Sequence, residues 1–360
     1  VTVRLGFLGA GFIADYHAGM LALSGADADI VAVHDPDGTR AGDFAARHGG
    51  VVVDTEEAVL DACDAVYVCT WTSEHPRLVA MAASRGLPVF CEKPLGVDLA
   101  AAAEVAAAAA LVTNQVGLVL RDAPAMLWLR SMLADPTDGA VLTVVFRDDQ
   151  YFPIRGIYGS QWRADRHKAG AGTLLEHSIH DLDLLEWLVG PVEGRVVEVS
   201  ARTRHVAGID GIEDVATVGL AFAGGATAHL TSVWHDVLSR PSQRRLEVFR
   251  QRAWYAVEGD VFGPVRWLRT DGDELAAASS HAGGGWTAGA PVEPEVLADG
   301  ELVAELGRLG VPLRFPDAGF VDSVARGVPA TPDAADALRA HQLVDAAYRS
   351  AASGGAWLRL

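Results

Sequence analysis

The chain has 360 residues, half of them hydrophobic, and 47 Asp and Glu against 29 Lys and Arg leave a formal charge of -18. That balance excludes a nucleic-acid or anionic-membrane partner, since both select clustered Lys and Arg, and the length exceeds what one core supports, so about two domains are expected. Cys63, Cys69 and Cys91 form neither a CxxC pair nor an even-numbered framework, and the opening VTVRLGFLGAG carries no charged-then-apolar leader, so a reducing, cytoplasmic address is expected.

VRLGFLGAGFIADYHAGML reads as a buried strand, a glycine turn and a helix, with Gly9, Gly11 and Ala14 in a GxGxxA pattern and Phe12 and Ile13 opening the helix. Gly11 lets the backbone approach a pyrophosphate, whose charge faces the free N–H groups of the helix start. The apolar strand IVAVHD ends at Asp35, about 20 residues on, where a carboxylate accepts both ribose hydroxyls of NAD and repels the 2'-phosphate of NADP. NADP stays possible through Arg40, which is either a 2'-phosphate partner or a surface helix residue.

DAVYVCT, the helix HPRLVAMAASRG and the strand LPVFCEKP continue the alternation of a doubly wound α/β domain. Ligands in such sheets lie beyond the carboxyl ends of the strands, which puts Thr70, Trp71, His75, Glu92 and Lys93 on the cofactor's side. Trp71 and His75 also read as packing or capping residues. The alanine-rich run Leu99–Val112 contains Glu104 and is too short to span a bilayer, so it reads as a helix of a soluble domain.

In QYFPIRGIYGSQWRADRHKAGAG, Tyr151, Tyr158, Trp162, Arg163 and His167 are candidates to line a polyol pocket. Core packing is the alternative for Trp162, and a surface ion pair for Arg163. In GTLLEHSIHDLDLLEWLVGP, Thr173 and Glu176 fit a capping box and Gly190 with Pro191 a stop, predicting a helix from about Leu174 to Val189. Glu176 and His180, four apart, then share a stripe about 6 Å apart. The positive helix end disfavours an imidazolium while the carboxylate favours it, so His180 is expected to be a base poised near neutrality. His177 and His180 lack the further ligands of a metal site. Asp181 and Asp183 are capping, solvated or substrate-facing. Trp234 and His235, at a strand end, are weaker candidates, and the Gly/Ala/Pro-rich stretch near 276–295 reads as a loop or lid.

With GAGFIA, CEKPLG and GAGTLLEHSIHDLDLLEWLVG in this order, the chain resembles, over nearly its whole length, the glucose-fructose oxidoreductase, inositol dehydrogenase and rhizopine-catabolism (Gfo/Idh/MocA) family. GIEDVATVGLAFAGGATAHL looks like the family's sheet strands, and the segment from Phe320 to Leu360 like its closing helix and strand. The resemblance implies an N-terminal Rossmann domain, residues 1–121, and a C-terminal α+β domain, residues 122–360, with a large, mostly antiparallel sheet that also serves homo-oligomer contacts in a dimer or tetramer. It implies an NAD-dependent enzyme moving a hydride to or from a secondary alcohol of a sugar, inositol or related polyol.

Carried over, Lys93 is the catalytic lysine before a cis Lys–Pro peptide, and His180 the acid/base. An ammonium there lowers the pKa of a bound hydroxyl and stabilises the developing alkoxide. The family's D-x-G-x-H reads E-H-S-I-H here, so Glu176 either orients His180 or only caps its helix. Two other readings stay open: a cofactor-binding regulator without turnover, and redox-assisted glycoside cleavage with NAD recycling.

Overall fold

The computed structural model describes residues 2–155, 159–270 and 293–360. Its first unit runs β1 (Val3–Leu8), α1 (Phe12–Ser24), β2 (Ala28–His34), α2 (Gly38–His48), β3 (Val51–Val52), α3 (Glu56–Ala62), β4 (Ala65–Val68), α4 (His75–Ser84), β5 (Val89–Cys91), α5 (Leu99–Ala109) and β6 (Asn114–Val116). The strands pair in parallel in the order β3-β2-β1-β4-β5-β6. Helices cover both faces, which is why β4 is buried at every position and shows no polar alternation. The strand order reverses between β1 and β4, the point beyond whose carboxyl ends doubly wound sheets bind their ligands.

The second unit adds α6 (Pro124–Leu133), β7 (Val141–Tyr151), α7 (Arg166–Ala169), α8 (Thr173–Glu176), α9 (Ile179–Glu193), β8 (Val196–Arg204), β9 (Val215–Phe222), β10 (Thr227–His235), β11 (Gln243–Arg250), β12 (Ala253–Asp260), β13 (Gly263–Arg269) and β14 (Glu295–Leu297). Three helices follow, α10 (Asp299–Arg308), α11 (Pro316–Arg326) and α12 (Ala334–Ala352), and then β15 (Leu358–Arg359). Nine strands form one sheet, antiparallel except where β7 meets β10. Period-two alternation turns Val144, Phe146, Leu246 and Val248 inward onto α6, α9 and α12. It leaves Leu142, Val145, Phe249 and Val296 exposed on the outer face.

The chain then returns to the first unit. Phe320 of α11 sets its ring edge-on against Tyr67 and Phe90, which stack on each other at 4.7 Å. Helix α12 joins both cores, with Ala334 and Ala337 in the first and Leu343 and Ala347 in the second. Among the described residues no helix is long and apolar enough to cross a membrane.

One predicted element differs. The helix expected over 174–189 is two helices, α8 and α9, separated by His177 and Ser178. Ser178 Oγ reaches Ser232 Oγ at 2.6 Å, and Thr173 Oγ1 reaches the same hydroxyl at 2.7 Å, so the sheet pulls the chain out of helical register. Thr173 therefore caps nothing, and the capping box with Glu176 is absent. Pro191 does not end α9 but lies inside its last turn, where it removes the bond that an N–H would make to the carbonyl four residues back. The carboxylate of Glu193 accepts Val141 N at 2.9 Å and anchors that extension.

Candidate active site

The nucleotide end of the crevice is built from backbone. Gly9 has a φ of 90°, and a Cβ there would lie 2.4 Å from the carbonyl oxygen of Cys69, so only glycine fits between β1 and β4. Gly11 opens α1 without a side-chain cap, and a Cβ on it would meet nothing within 4 Å. Gly11 thus leaves room at the start of α1, where a pyrophosphate would meet the first N–H groups of the helix. Ala14 is buried against the sheet.

Asp35 is held from behind: Ala10 N donates to its Oδ2 and Asp37 N to its Oδ1, each at 2.9 Å. Arg40, half exposed, brings Nη1 to 3.3 Å from the same carboxylate. Both readings of Arg40 meet here, since it is a surface helix residue that also partly neutralises Asp35. Thr70 and Trp71 follow β4, and Lys168 Nζ lies 3.8 Å from the centre of the partly exposed Trp71 ring.

Lys93 stands just past β5, before a cis peptide to Pro94. Its Nζ donates to the main-chain oxygen of Glu176 at 2.8 Å. Burial lowers its pKa below the usual lysine value, against the raising influence of Glu92 and Glu176. The side chains of Glu92 and His75 are buried. Glu92 pairs with His17 at 2.9 Å, and His75 Nδ1 donates to the carbonyl of Pro94 at 2.8 Å.

Glu176 does not orient His180. Its two carboxylate oxygens go to Arg163 Nε at 2.8 Å and Thr72 Oγ1 at 3.1 Å, and the break at His177 ends the shared helical stripe. Glu176 joins the two units instead, held by Thr72 and Lys93 of the first and Arg163 of the second. The Arg163 guanidinium lies over the Trp162 ring, 4.4 Å from its centre.

His180 opens α9, one residue after its start. Burial, then the cations of Lys93 and Arg244, then His177, push its pKa well below the ordinary histidine value, not to a poise near neutrality. The carboxylate expected to balance that push is engaged elsewhere. His180 is therefore a neutral imidazole whose buried Nδ1 has no hydrogen-bond partner among the described residues. Lys93 Nζ bonds the main-chain oxygen of Glu176, four residues before His180, and its charge acts on the His180 ring, so the amine and the imidazole are near neighbours.

A polar floor lies beneath them. Arg244 and Asp148 are cross-strand neighbours on β11 and β7, buried on the inward face. Arg244 reaches Asp181 Oδ1 at 3.2 Å, while His177 Nε2 lies 2.7 Å from both Arg244 Nη2 and Asp148 Oδ2. Burial, and then the Asp148 charge, push the Asp181 carboxyl up to about 7, and burial raises Asp148 as well. Asp183, whose role the sequence leaves open, forms a bidentate pair with Arg121 at 2.7 and 2.6 Å.

Other candidates lie aside. Tyr158 and residues 276–292 of the proposed lid fall outside the described residues. Tyr151 packs edge-on to His235, whose Nε2 approaches Asp149 at 3.3 Å, and Trp234 packs against Phe152. His167 is exposed on α7. Sequence reasoning missed Thr72, Asp148 and Arg244. A legible sign existed for the last two, because they continue the inward alternation of Val144 and Phe146 on β7 and of Leu246 and Val248 on β11.

A dinucleotide crevice facing an amine and an imidazole from the junction with a second sheet domain defines an oxidoreductase with an NAD-binding Rossmann fold. The chain belongs to the Gfo/Idh/MocA oxidoreductase family: the model of its NAD-binding Rossmann domain matches residues 3–118, and that of its C-terminal domain residues 126–256. It is 29% identical to an inositol 2-dehydrogenase of Rhizobium meliloti (strain 1021) across 98% of both chains. It is 30% identical to a 1,5-anhydro-D-fructose reductase of Ensifer adhaerens over 66% of this chain and 69% of that one. Its fold matches the WlbA dehydrogenase of Bordetella pertussis, solved with NADH and UDP-GlcNAcA, with a TM-score of 0.79 and 20% identity over 100% of this chain and 98% of that one.

Proposed function

We propose that this protein oxidises a secondary ring alcohol of an inositol, a cyclic sugar or a related polyol, or reduces the matching ketone, with NAD as the hydride partner. What supports this reading is that Lys93 bonds the main chain of Glu176, four residues before His180, while Gly9 and Gly11 keep the turn after β1 free of side chains. Relatives named for inositol and anhydro-sugar substrates support the substrate class. NAD, when bound, supplies the hydride acceptor at its nicotinamide. Gly9 and Gly11 admit its pyrophosphate, and Asp35 receives its ribose.

Lys93 holds a donor against the reacting oxygen and stabilises the negative charge that develops there. His180, already unprotonated, takes the hydroxyl proton as that charge forms. Arg163 is the substrate-side cation, with Trp162 behind it and Tyr158 in the same stretch of sequence. Glu176 fixes the wall between them. We place the boundary of the two units at Arg121, which ties α9 to α12 through Asp183 and Asp336. The outer sheet face with Leu142, Val145 and Phe249 is proposed for self-association, and the free thiols of Cys63, Cys69 and Cys91 support a cytoplasmic address.

Incubation with NAD and a panel of inositols, sugars and glycosides tests the activity through the NADH absorbance band. Sustained growth is expected. Sugar release without growth would mean redox-assisted cleavage, and firm NAD binding with neither would mean a regulator. Solution mass tests the assembly.

A further inference from the structure

Lys93 owes its placement to the short turn Glu92–Leu95, and that turn is held by three buried histidines from three different helices. His17 of α1 bonds Glu92 Oε1 through Nε2 at 2.9 Å and Asp317 Oδ1 of α11 through Nδ1 at 2.8 Å. His75 of α4 meets the carbonyl of Pro94 through Nδ1 at 2.8 Å. His341 of α12 accepts the N–H of Leu95 on Nε2 at 3.0 Å. All three rings are at most 1% exposed, so no water substitutes for these partners.

The partners dictate a different chemical form for each ring. Two carboxylates can be satisfied together only by a ring that donates from both nitrogens, which makes His17 an imidazolium. A carbonyl needs a donor, so His75 is the Nδ1–H tautomer. A main-chain N–H needs an acceptor, so the Nε2 of His341 is bare and its proton sits on Nδ1. Glu92 is pinned from the other side as well, since a Cβ on Gly117 would fall 2.0 Å from its Oε1.

We propose that His17, His75 and His341 are positioning residues that clamp the turn carrying Lys93 and make the lysine's placement depend on docking of the C-terminal helices α11 and α12. Two of the clamp's contacts, Asp317 and His341, come from residues about 220 or more positions downstream of the turn they hold, beyond both family-model matches. The lysine side of the clamp faces Glu92, Glu176, Arg163 and Arg244. His17 faces Glu92 and Asp317, with the rings of Tyr16, Tyr67 and Phe90 around it. The catalytic importance of the clamp rests on the role proposed for Lys93, but its geometry does not.

The test reads Lys93 directly. In the full-length protein, the pH dependence of Lys93 acylation by acetic anhydride, followed by peptide mass spectrometry, reports how buried the amine is. His341→Leu removes the acceptor and should raise the midpoint by about one pH unit toward the ordinary lysine value, as the loosened turn lets water reach Nζ. His341→Gln retains an acceptor oxygen and should return the midpoint to within about 0.3 unit of the unmodified protein. Equal shifts in both variants, or none in either, would overturn the proposal.

Imidazole nitrogen NMR of the unmodified protein is the second arm and needs no variant to fold. It should show His17 protonated on both nitrogens at about pH 7.5 and His341 on Nδ1 alone. A neutral His17 or an Nε2–H form of His341 would equally sink it. Neither readout uses turnover, so a missing dehydrogenase activity would count against the proposed function and leave the clamp standing.

Discussion

Lys93 donates to the main-chain oxygen of Glu176 at 2.8 Å, not to its carboxylate, which belongs to Arg163 and Thr72. The amine and the acid are neighbours with separate tasks. Glu176→Gln keeps the carbonyl contact and loses only the ion pair with Arg163, so turnover should fall by no more than about tenfold. Lys93→Ala removes the charge at the reacting oxygen and should cut turnover by about a hundredfold or more. NAD affinity, measured by fluorescence titration, should stay within about threefold in both. Equal losses of turnover would put the Glu176 carboxylate in the chemistry.

His180 and Lys93 share one site, and His180 is neutral over the working range because burial and nearby cations hold its pKa well below the ordinary value. The acid limb of the kcat/KM profile should therefore lie beneath that of a free imidazole. A limb at the ordinary histidine value that disappears in His180→Asn would show that the ring is not held down.

Asp35 and Arg40 set the choice of cofactor in opposite directions. The carboxylate repels a 2'-phosphate, while Arg40 at 3.3 Å offsets part of that repulsion. NAD should exceed NADP in kcat/KM by about tenfold or more, and Arg40→Ala should widen the gap. Steady-state kinetics with both cofactors decides. A preference for NADP that is lost in Arg40→Ala would mean that the arginine governs the pocket.

Stability should peak between the acid and alkaline sides, because two of the clamp histidines shift oppositely. Burial alone would lower the pKa of His17, but Asp317 and Glu92 raise it to about 9. Its contribution is full below the unfolded value near 6.5 and is lost as pH rises through 9, a change of about 3 kcal/mol. Burial lowers His341 to about 4, so the unfolded chain takes up its proton first and stability falls as pH drops from 6.5 to 4, again by about 3 kcal/mol. Urea midpoints across this range should show the alkaline decline reduced in His17→Gln and the acid decline reduced in His341→Gln. Unchanged slopes would contradict both assignments.

Arg244 holds a buried floor in which burial opposes its charge and Asp148, Asp181 and Asp260 support it. Arg244→Met leaves that acidic cluster uncompensated and should cost about 3–5 kcal/mol in denaturant unfolding. Adding Asp148→Asn should recover part of the loss. Additive losses would mean that the two residues do not act as a pair.

The parallel sheet, its glycine turn and the place of Lys93 were legible in the sequence because each rests on local chemistry. Gly9 answers to one backbone conformation, β4 to burial on both faces, and Lys93 to the end of a short apolar strand. Family membership could be read from three motifs in order, and His180 followed from it. The helix over 174–189 was half legible: its leucines announced a buried face, but nothing in neighbouring residues announced Ser232, whose hydroxyl helps to break it.

What side chains do with their charge was decided only when distant strands met. Glu176 has the spacing of a cap and of a histidine partner, yet Arg163 and Thr72 take both its oxygens. His180 has the look of a poised base, yet burial, and then the Lys93 and Arg244 cations, hold it neutral. His17 and His341 are unremarkable helix residues until Asp317, Glu92 and Leu95 arrive from elsewhere in the chain. Backbone preference and burial pattern act over a few residues and can be read along the chain. Proton affinity and hydrogen-bond pairing depend on whatever lies within a few ångströms in space, and folding alone sets that.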